Sequence, residues 1–327
     1  MSTETAMPRE LELRFEQHRT ELRGYCYRML ASPFDAEDAV QDTFIRAWRA
    51  YDRFEGRSSL RSWLYKIATN VCLDTLRSVE RRARPMDLGP AGEPVAVGLR
   101  ELPETTWLEP APDALVIAPG GDPAERAVAR DSVRLAFVAA LQQLPARQRA
   151  ALILCEVLQW KATEVAELLE TSVASVNSAL QRARTTLSAS GRTSSDMKTP
   201  TDMSAADRDL LARYVAAFEA YDIEALTAVI HEDAIQSMPP YDLWLASRDD
   251  IFTWWFGPGI GCKGSRVIAA GTANGSAAFG QYKPTADGGF EPWALQVVEL
   301  HEGSVGEITF FLGTATLFPL FGLPATL

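Results

Sequence analysis

Trp63, Lys66, Asn70, Asp74 and Arg77 recur every three or four residues along one stretch of a 327-residue sequence. On a helix that spacing gathers them on one face. Cations that meet phosphate, an amide that reads base edges and a ring on which a base stacks are the parts of a platform for single-stranded nucleic acid. The same spacing also describes a solvated helix side with one half-buried Trp. A second set, Asn177, Ser178, Gln181, Arg182 and Arg184, lies opposite the apolar positions Val176, Leu180, Ala183 and Leu187. Short polar groups and arginines on one helix face suit a recognition helix in the major groove. Lys161–Leu169, a turn at Glu170–Ser172 and Val173–Leu187 complete a helix–turn–helix outline. The turn lacks the common Gly, and an ordinary helical hairpin fits the same pattern.

The elements that must hold these residues are readable around them. Val40, Phe44, Ala47 and Tyr51 form a buried stripe on a helix that starts near Pro33 and Asp35. A second helix begins after Gly56, with Ser58 or Ser59 as N-cap and Leu60, Leu64, Ile67 and Val71 as its apolar stripe. Breaks in composition divide the chain into a helical region 9–84, a Pro- and Gly-rich linker 85–124, a second helical region 125–190, a short Ser/Thr/Arg linker 191–202 and a mixed region 203–327. In the last, helices at Ala206–Ala220, Ile223–Ile230 and Asp249–Phe256 are expected, with a strand near Ala234–Met238. Four strands follow at Arg266–Thr272, Ala277–Lys283, Trp293–His301 and Val305–Leu312. Asn274-Gly275 signals a tight hairpin, and Asp287-Gly288-Gly289 and Glu302-Gly303 mark further turns. Two all-α domains followed by an α+β domain is the fold class.

Composition narrows the chemistry. With 47% hydrophobic and 23% charged residues the chain is globular rather than disordered. The net charge of −11 argues against a nucleic-acid partner until it is located: residues 200–327 carry six Lys/Arg against sixteen Asp/Glu, so the acidity belongs to the last region. Cys26, Cys72, Cys155 and Cys262 are scattered, without a CxxC pair or a nearby His, which favours buried thiols over a metal site or disulfides. The sequence has neither a long apolar run nor a charged-then-apolar leader, so no membrane association and a cytoplasmic location are expected.

Taken in order, the motifs resemble the extracytoplasmic-function (ECF) group of sigma-70 RNA polymerase sigma factors. DAEDAVQDTFIRAWRAYDRFEGRSSLRSWLYKIATNVCLDTLR, Asp35 to Arg77, resembles region 2. LQQLPARQRAALILCEVLQWKATEVAELLETSVASVNSALQRARTTL, Leu141 to Leu187, resembles region 4. The resemblance implies a transcription initiation factor, with no catalysis or cofactor of its own, whose partners are core RNA polymerase (β′ clamp and β flap) and promoter DNA. It places Asp38, Gln41, Asp42, Phe44 and Trp48 on the polymerase-docking segment. Ser58, Ser59, Arg61, Trp63, Lys66, Asn70 and Arg77 fall on the segment that melts and reads the −10 element, where the loop Phe54–Ser59 captures a flipped base. Asn177, Ser178, Gln181, Arg182 and Arg184 face the −35 element. The recognition helix is less basic than in many relatives, so its sequence preference does not transfer. In the linker, Trp107-Leu108-Glu109-Pro110 resembles a Trp-Leu-Pro signature of ECF groups with C-terminal extensions. The linker threads polymerase channels in this family, and a plain flexible tether fits its composition as well.

HEDAIQSMPP followed by a helix and four strands resembles the SnoaL-like branch of the NTF2 fold, a cone-shaped domain. Its pocket would draw on Met238, Tyr241, Trp244, Trp254, Trp255, Phe279, Trp293 and Phe311, suited to a small apolar ligand, a filled core or a docking surface. The resemblance implies a domain that regulates in cis, by packing on the sigma regions or by sensing a ligand. The alternative is a fused isomerase- or cyclase-like enzyme, for which His231, Asp233 and His301 are the candidate proton carriers; capping of the helix-to-strand turn is the plainer role for the first two.

Overall fold

A computed structural model describes residues 9–56, 58–78, 81–120, 123–189 and 203–327. The expected linker 191–202 lies outside them. The chain divides into two units, Met1–Arg82 with Asp113–Lys198, and Ala83–Pro112 with Thr199–Leu327.

The first unit is helical. α1 (Arg9–Glu16), α2 (Arg19–Leu30), α3 (Pro33–Ala50) and α4 (Leu60–Thr75) pack around Phe15, Leu22, Tyr25, Met29, Leu64 and Tyr65, all fully buried. Ser32 starts α3: its hydroxyl accepts the Asp35 N–H at 3.2 Å, and Pro33 occupies the first turn, where a missing N–H costs nothing. Of the two serines before α4, Ser59 is the cap, accepting the Ser62 N–H at 3.0 Å. Tyr25 and Thr69 hydroxyls share a buried hydrogen bond of 2.8 Å that fixes α2 against α4.

After the excursion into the second unit, the chain returns as α5 (Asp113–Val116), α6 (Pro123–Asp131), α7 (Leu135–Gln142), α8 (Ala146–Leu152), a π turn at Ile153–Val157, α9 (Ala162–Leu168) and α10 (Val173–Ala189). The turn between α9 and α10 does without Gly because Glu170 itself takes the left-handed conformation, φ 51°. Two buried arginines join α2 to this second helical set. Arg28 donates from Nη2 to Ser132 Oγ (2.7 Å) and from Nη1 to Gly24 O (2.7 Å). Arg149 donates to the carbonyls of Met29, Gln142 (3.1 Å) and Leu144 (3.3 Å). Burial lowers both guanidinium pKa values to about 10, so the carbonyl cages offset a desolvation cost rather than create a surplus.

The second unit opens with residues 83–112, two 3-10 turns (Pro85–Asp87 and Glu104–Thr106) joined by irregular chain with turns of its own. Here the free-tether expectation fails. Trp107 and Leu108 are 3% and 2% exposed, Leu108 N–H donates to Ala83 O at 3.0 Å, and Ala111 N–H donates to Asn274 Oδ1 at 2.8 Å. The domain proper runs α11 (Ala205–Ala220), α12 (Ile223–Thr227), β1 (Ile230–Ser237), β2 (Trp244–Leu245), α13 (Arg248–Phe256), β3 (Arg266–Ala273), β4 (Ser276–Pro284), β5 (Phe290–His301), β6 (Ser304–Phe311) and α14 (Thr314–Leu320). The sheet order is β2-β1-β6-β5-β4-β3, with β1 parallel to β6 and the other neighbours antiparallel. Asn274-Gly275 (φ 54°, 76°) and Glu302-Gly303 (φ 51°, 82°) supply the paired positive φ angles that two-residue hairpins demand.

Two differences from expectation have local causes. β1 begins at Ile230, so α12 stops three residues earlier than expected and His231 and Asp233 lie on a strand, not in a capping turn; a register shift between Ile230 and Ile235 hides the strand's alternation. β2 is only two residues long, and α14 contains Pro319, so neither carries a periodic signal.

Candidate nucleic-acid interface and ligand cavity

The α4 face assembles as the spacing requires, but much of it is engaged within the first unit. Trp63 stacks on Phe54 with ring centroids 4.7 Å apart, which places two rings beside the Ser59 cap. Asn70 is exposed, and Arg77 pairs with Asp74 at 3.0 Å. Arg61 pairs with Glu21 at 2.7 Å and lies over the rings of Tyr65 and Trp160, at 5.1 and 5.3 Å. Trp160 sits 5.1 Å from Tyr65, and Lys66 Nζ meets Glu170 at 2.8 Å. That bond and the lysine's charge hold the Glu170 carboxyl below its usual range. Residues flanking α9, Trp160 before it and Glu170 after it, thus occupy two of the cations on α4. Ser59 serves as the helix cap, and both Ser58 and Ser59 are exposed.

On α3, Asp38, Gln41, Asp42 and Trp48 lie on an accessible face. Phe44 does not: it is 7% exposed, 5.5 Å from Phe15, with the Arg19 guanidinium 5.0 Å over its ring. It belongs to the core, as its place in the apolar stripe required. Ile45 takes its place on the outer face, 44% exposed between Gln41, Asp42 and Trp48. An isoleucine off the buried stripe was the available signal.

On α10, Asn177, Gln181, Arg182 and Arg184 are exposed and Ser178 is half-buried. Arg182 donates to Ser178 Oγ at 2.7 Å, and Arg184 pairs with Glu156. Arg182 also lines a cleft of about 490 Å³ with Arg77, Arg147, Leu73 and Leu76, so side chains of the two nucleic-acid sets share one cleft of the first unit.

Residues 14–82 match the Sigma-70 region 2 family and residues 134–187 match Sigma-70, region 4. The ECF RNA polymerase sigma factor SigG of Mycobacterium tuberculosis is 46% identical over 315 residues, 95% of this chain and 83% of that protein. The chain belongs to the ECF RNA polymerase sigma factors. A second relative, the sigma factor SigJ of M. tuberculosis, is 30% identical over 220 residues, 67% of this chain and 62% of that protein. The crystal structure of SigJ shares the fold, with a TM-score of 0.58 over 96% of this chain and 99% of that chain at 21% identity. Another ECF factor, SigE of Mycolicibacterium smegmatis, is 31% identical over 183 residues, 55% of this chain and 61% of that protein.

In this ECF factor the helices and six-stranded sheet of the second unit line a cavity of about 240 Å³. Of the expected pocket residues, Met238, Tyr241, Trp254, Trp255 and Trp293 are on the wall. Phe279 is in the core cluster, and Trp244 turns its Nε1 to Gly89 O at 3.0 Å. Phe311 lines a smaller cleft beside Trp107. His231, Asp233 and His301 are absent from the wall; His231 Nδ1 accepts the Asp233 N–H at 3.1 Å and its ring lies 6.1 Å from that of His301. Among the wall residues outside the expected set are the polar Gln236, Gln281, Cys262 and Lys283 and the apolar Phe218, Phe310 and Leu312. Gln236 stands on β1 and Gln281 and Lys283 on β4, where a glutamine among buried residues was the legible sign; Cys262 ends the 3-10 turn Pro258–Cys262.

Proposed function

We propose that this sigma factor directs core RNA polymerase to promoters by docking through the α3 face (Asp38, Gln41, Asp42, Ile45, Trp48), reading and melting the −10 element with α4 and reading the −35 element with α10. The arrangement described is its closed state. The observation that carries this reading is the seam between α4 and α9: Trp160 covers Arg61 and Tyr65, and Glu170 holds Lys66. Cations committed to a ring and a carboxylate within the chain are not available to phosphate. Engagement of separated −10 and −35 elements requires the seam to open, and the factor works where the polymerase is, in the cytoplasm.

The C-terminal domain regulates in cis. The segment connecting the two DNA-reading halves, 83–112, is packed into the second unit through Trp107, Leu108 and the Ala111–Asn274 pair, so the domain governs how much of that segment is free to span. Its acidity repels DNA. Its cavity accepts a small ligand that biases the state of the linker.

Run-off transcription with core polymerase on a promoter library, comparing the full chain with a version ending at Arg192, tests the assignment. Polymerase-dependent initiation that differs between the two forms is expected. If neither form associates with core polymerase, the assignment falls.

A further inference from the structure

The cavity of the second unit has an unusual balance of groups. Its body is aromatic and thioether: Phe218, Trp254, Trp255, Phe310, Trp293 and Met238. Among the described residues, no carboxylate and no His lines it. Two hydrogen-bond donors on the wall are unspent. Lys283, half-buried at the end of β4, has its Nζ 3.0 Å from the centroid of the Trp293 ring and no carboxylate partner among the described residues. Gln236, 1% exposed, uses its carbonyl to accept the Trp255 Nε1–H at 2.6 Å, which leaves its amide N–H groups without a protein acceptor among the described residues.

Neighbouring polar groups are, by contrast, satisfied in series. Tyr214 donates to Gln296 (2.8 Å), Gln296 to Gln281 (3.0 Å) and Gln281 to Ser265 (3.0 Å). A domain that closes one buried chain of hydrogen bonds so completely, yet leaves an ammonium and an amide facing space, is complementary to something that brings acceptors. The aromatic walls call for a planar body; the ammonium calls for a negative charge in a site of low dielectric, where a single ion pair counts heavily. The volume equals roughly eight waters, room for one or two fused rings.

One side of the cavity is made by the linker itself. Ala96 and Leu99 line it, and the stretch around them, which turns at Ala96–Gly98, is tied down by Gly92 N–H to Trp244 O (2.8 Å), Asp242 N–H to Arg100 O (3.1 Å), Leu102 N–H to Pro240 O (3.0 Å) and the Arg100–Asp242 ion pair (3.1 Å).

We propose that this cavity binds a small planar aromatic carboxylate, anchored by Lys283 and Gln236 and covered by linker residues Ala96 and Leu99. This deepens the ligand-sensing reading above and rests on it for the regulatory consequence, while binding itself is measured without transcription. Occupancy adds contacts to Leu99 and Ala96, so it holds the 92–102 stretch in place.

Calorimetric titration of the full chain with 1-naphthoate and with 1-naphthalenemethanol, a neutral molecule of the same shape, tests the proposal. The acid is expected to bind one-to-one and at least tenfold more tightly than the alcohol. Lys283→Met, which keeps the aliphatic stem over Trp293, is expected to erase that preference while leaving alcohol binding and the urea midpoint unchanged; Lys283→Arg retains it. Equal affinity for the two probes, no binding of either, or an undiminished preference in Lys283→Met overturns the site. Tryptic cleavage after Arg100, an exposed site in the cover, is expected to slow at saturating naphthoate; an unchanged rate overturns the role of the linker as cover.

Discussion

Truncation of Trp160 to Ala is the sharpest probe of the closed state. The ring contributes an aromatic contact to Tyr65 and a cation–π contact to Arg61, both on α4. Such contacts are worth about 0.5–1.5 and 0.5–1 kcal/mol respectively, so their loss weakens the seam by about 1–2.5 kcal/mol. At about 1.4 kcal/mol per factor of ten, the open-to-closed ratio rises roughly 5- to 60-fold. Trp160→Phe is the control. It keeps a ring against Tyr65 and removes an indole N–H that is buried without an acceptor among the described residues, so it stays close to wild type. Single-molecule energy transfer between dyes at exposed Asn70 and Thr186, in a Cys155→Ser/Cys262→Ser background, reads the ratio directly. Run-off transcription at limiting factor reads its consequence. Trp160→Ala should raise both the low-transfer fraction and initiation. If it moves neither, or if Phe acts as strongly as Ala, the seam is not what keeps these surfaces together.

Phe44→Ala should lower stability by about 3–5 kcal/mol in a denaturant titration, whereas Ile45→Asp should leave the midpoint in place and reduce capture of core polymerase. On α10, Asn177→Ala or Gln181→Ala should relax discrimination at one base pair of the −35 element by about 1–3 kcal/mol, measured by competition binding with single-site variants. Burial pushes the Cys262 thiol up while Lys283 pulls it down, so its alkylation by iodoacetamide should keep accelerating with pH beyond the range of a free thiol. Lys283→Met removes the charge that favours the thiolate; mass spectrometry should then show slower labelling of Cys262 at pH 8 and unchanged labelling of Cys155.

What could be read in advance was whatever local chemistry decides. Ser59 before α4, the apolar stripe through Phe44 and the paired turn residues Asn274-Gly275 act within a few positions of themselves, and their spacing announces them. The pocket was legible only in part, because an aromatic on a strand declares a face without declaring which one is hollow; Trp244 and Phe279 show the cost of that ambiguity. Least legible were partners distant in sequence. Trp107 and Leu108 look like ornaments of a Pro-rich tether until residues more than a hundred positions downstream cover them. Trp160 stands just outside the helix–turn–helix, and nothing in its neighbours points to Arg61. Lys283 reads as an ordinary strand-end lysine until Trp293 lies beneath it.

The second unit is built from two pieces of chain with the whole of α5 to α10 between them. During synthesis the earlier piece therefore leaves the ribosome well before the residues that will bury it exist. At about 5–20 residues per second, Trp107 and Leu108 wait on the order of ten seconds or more in water. For that interval the nascent protein is a pair of sigma helical sets joined by a loose, sticky strand, the very form a chain stopped at Arg192 would keep for life. A shortened factor is thus an arrested stage of assembly and not a simple subtraction, and its solubility, binding to chaperones and activity should be compared with those of a newly made chain before they are compared with those of a finished one.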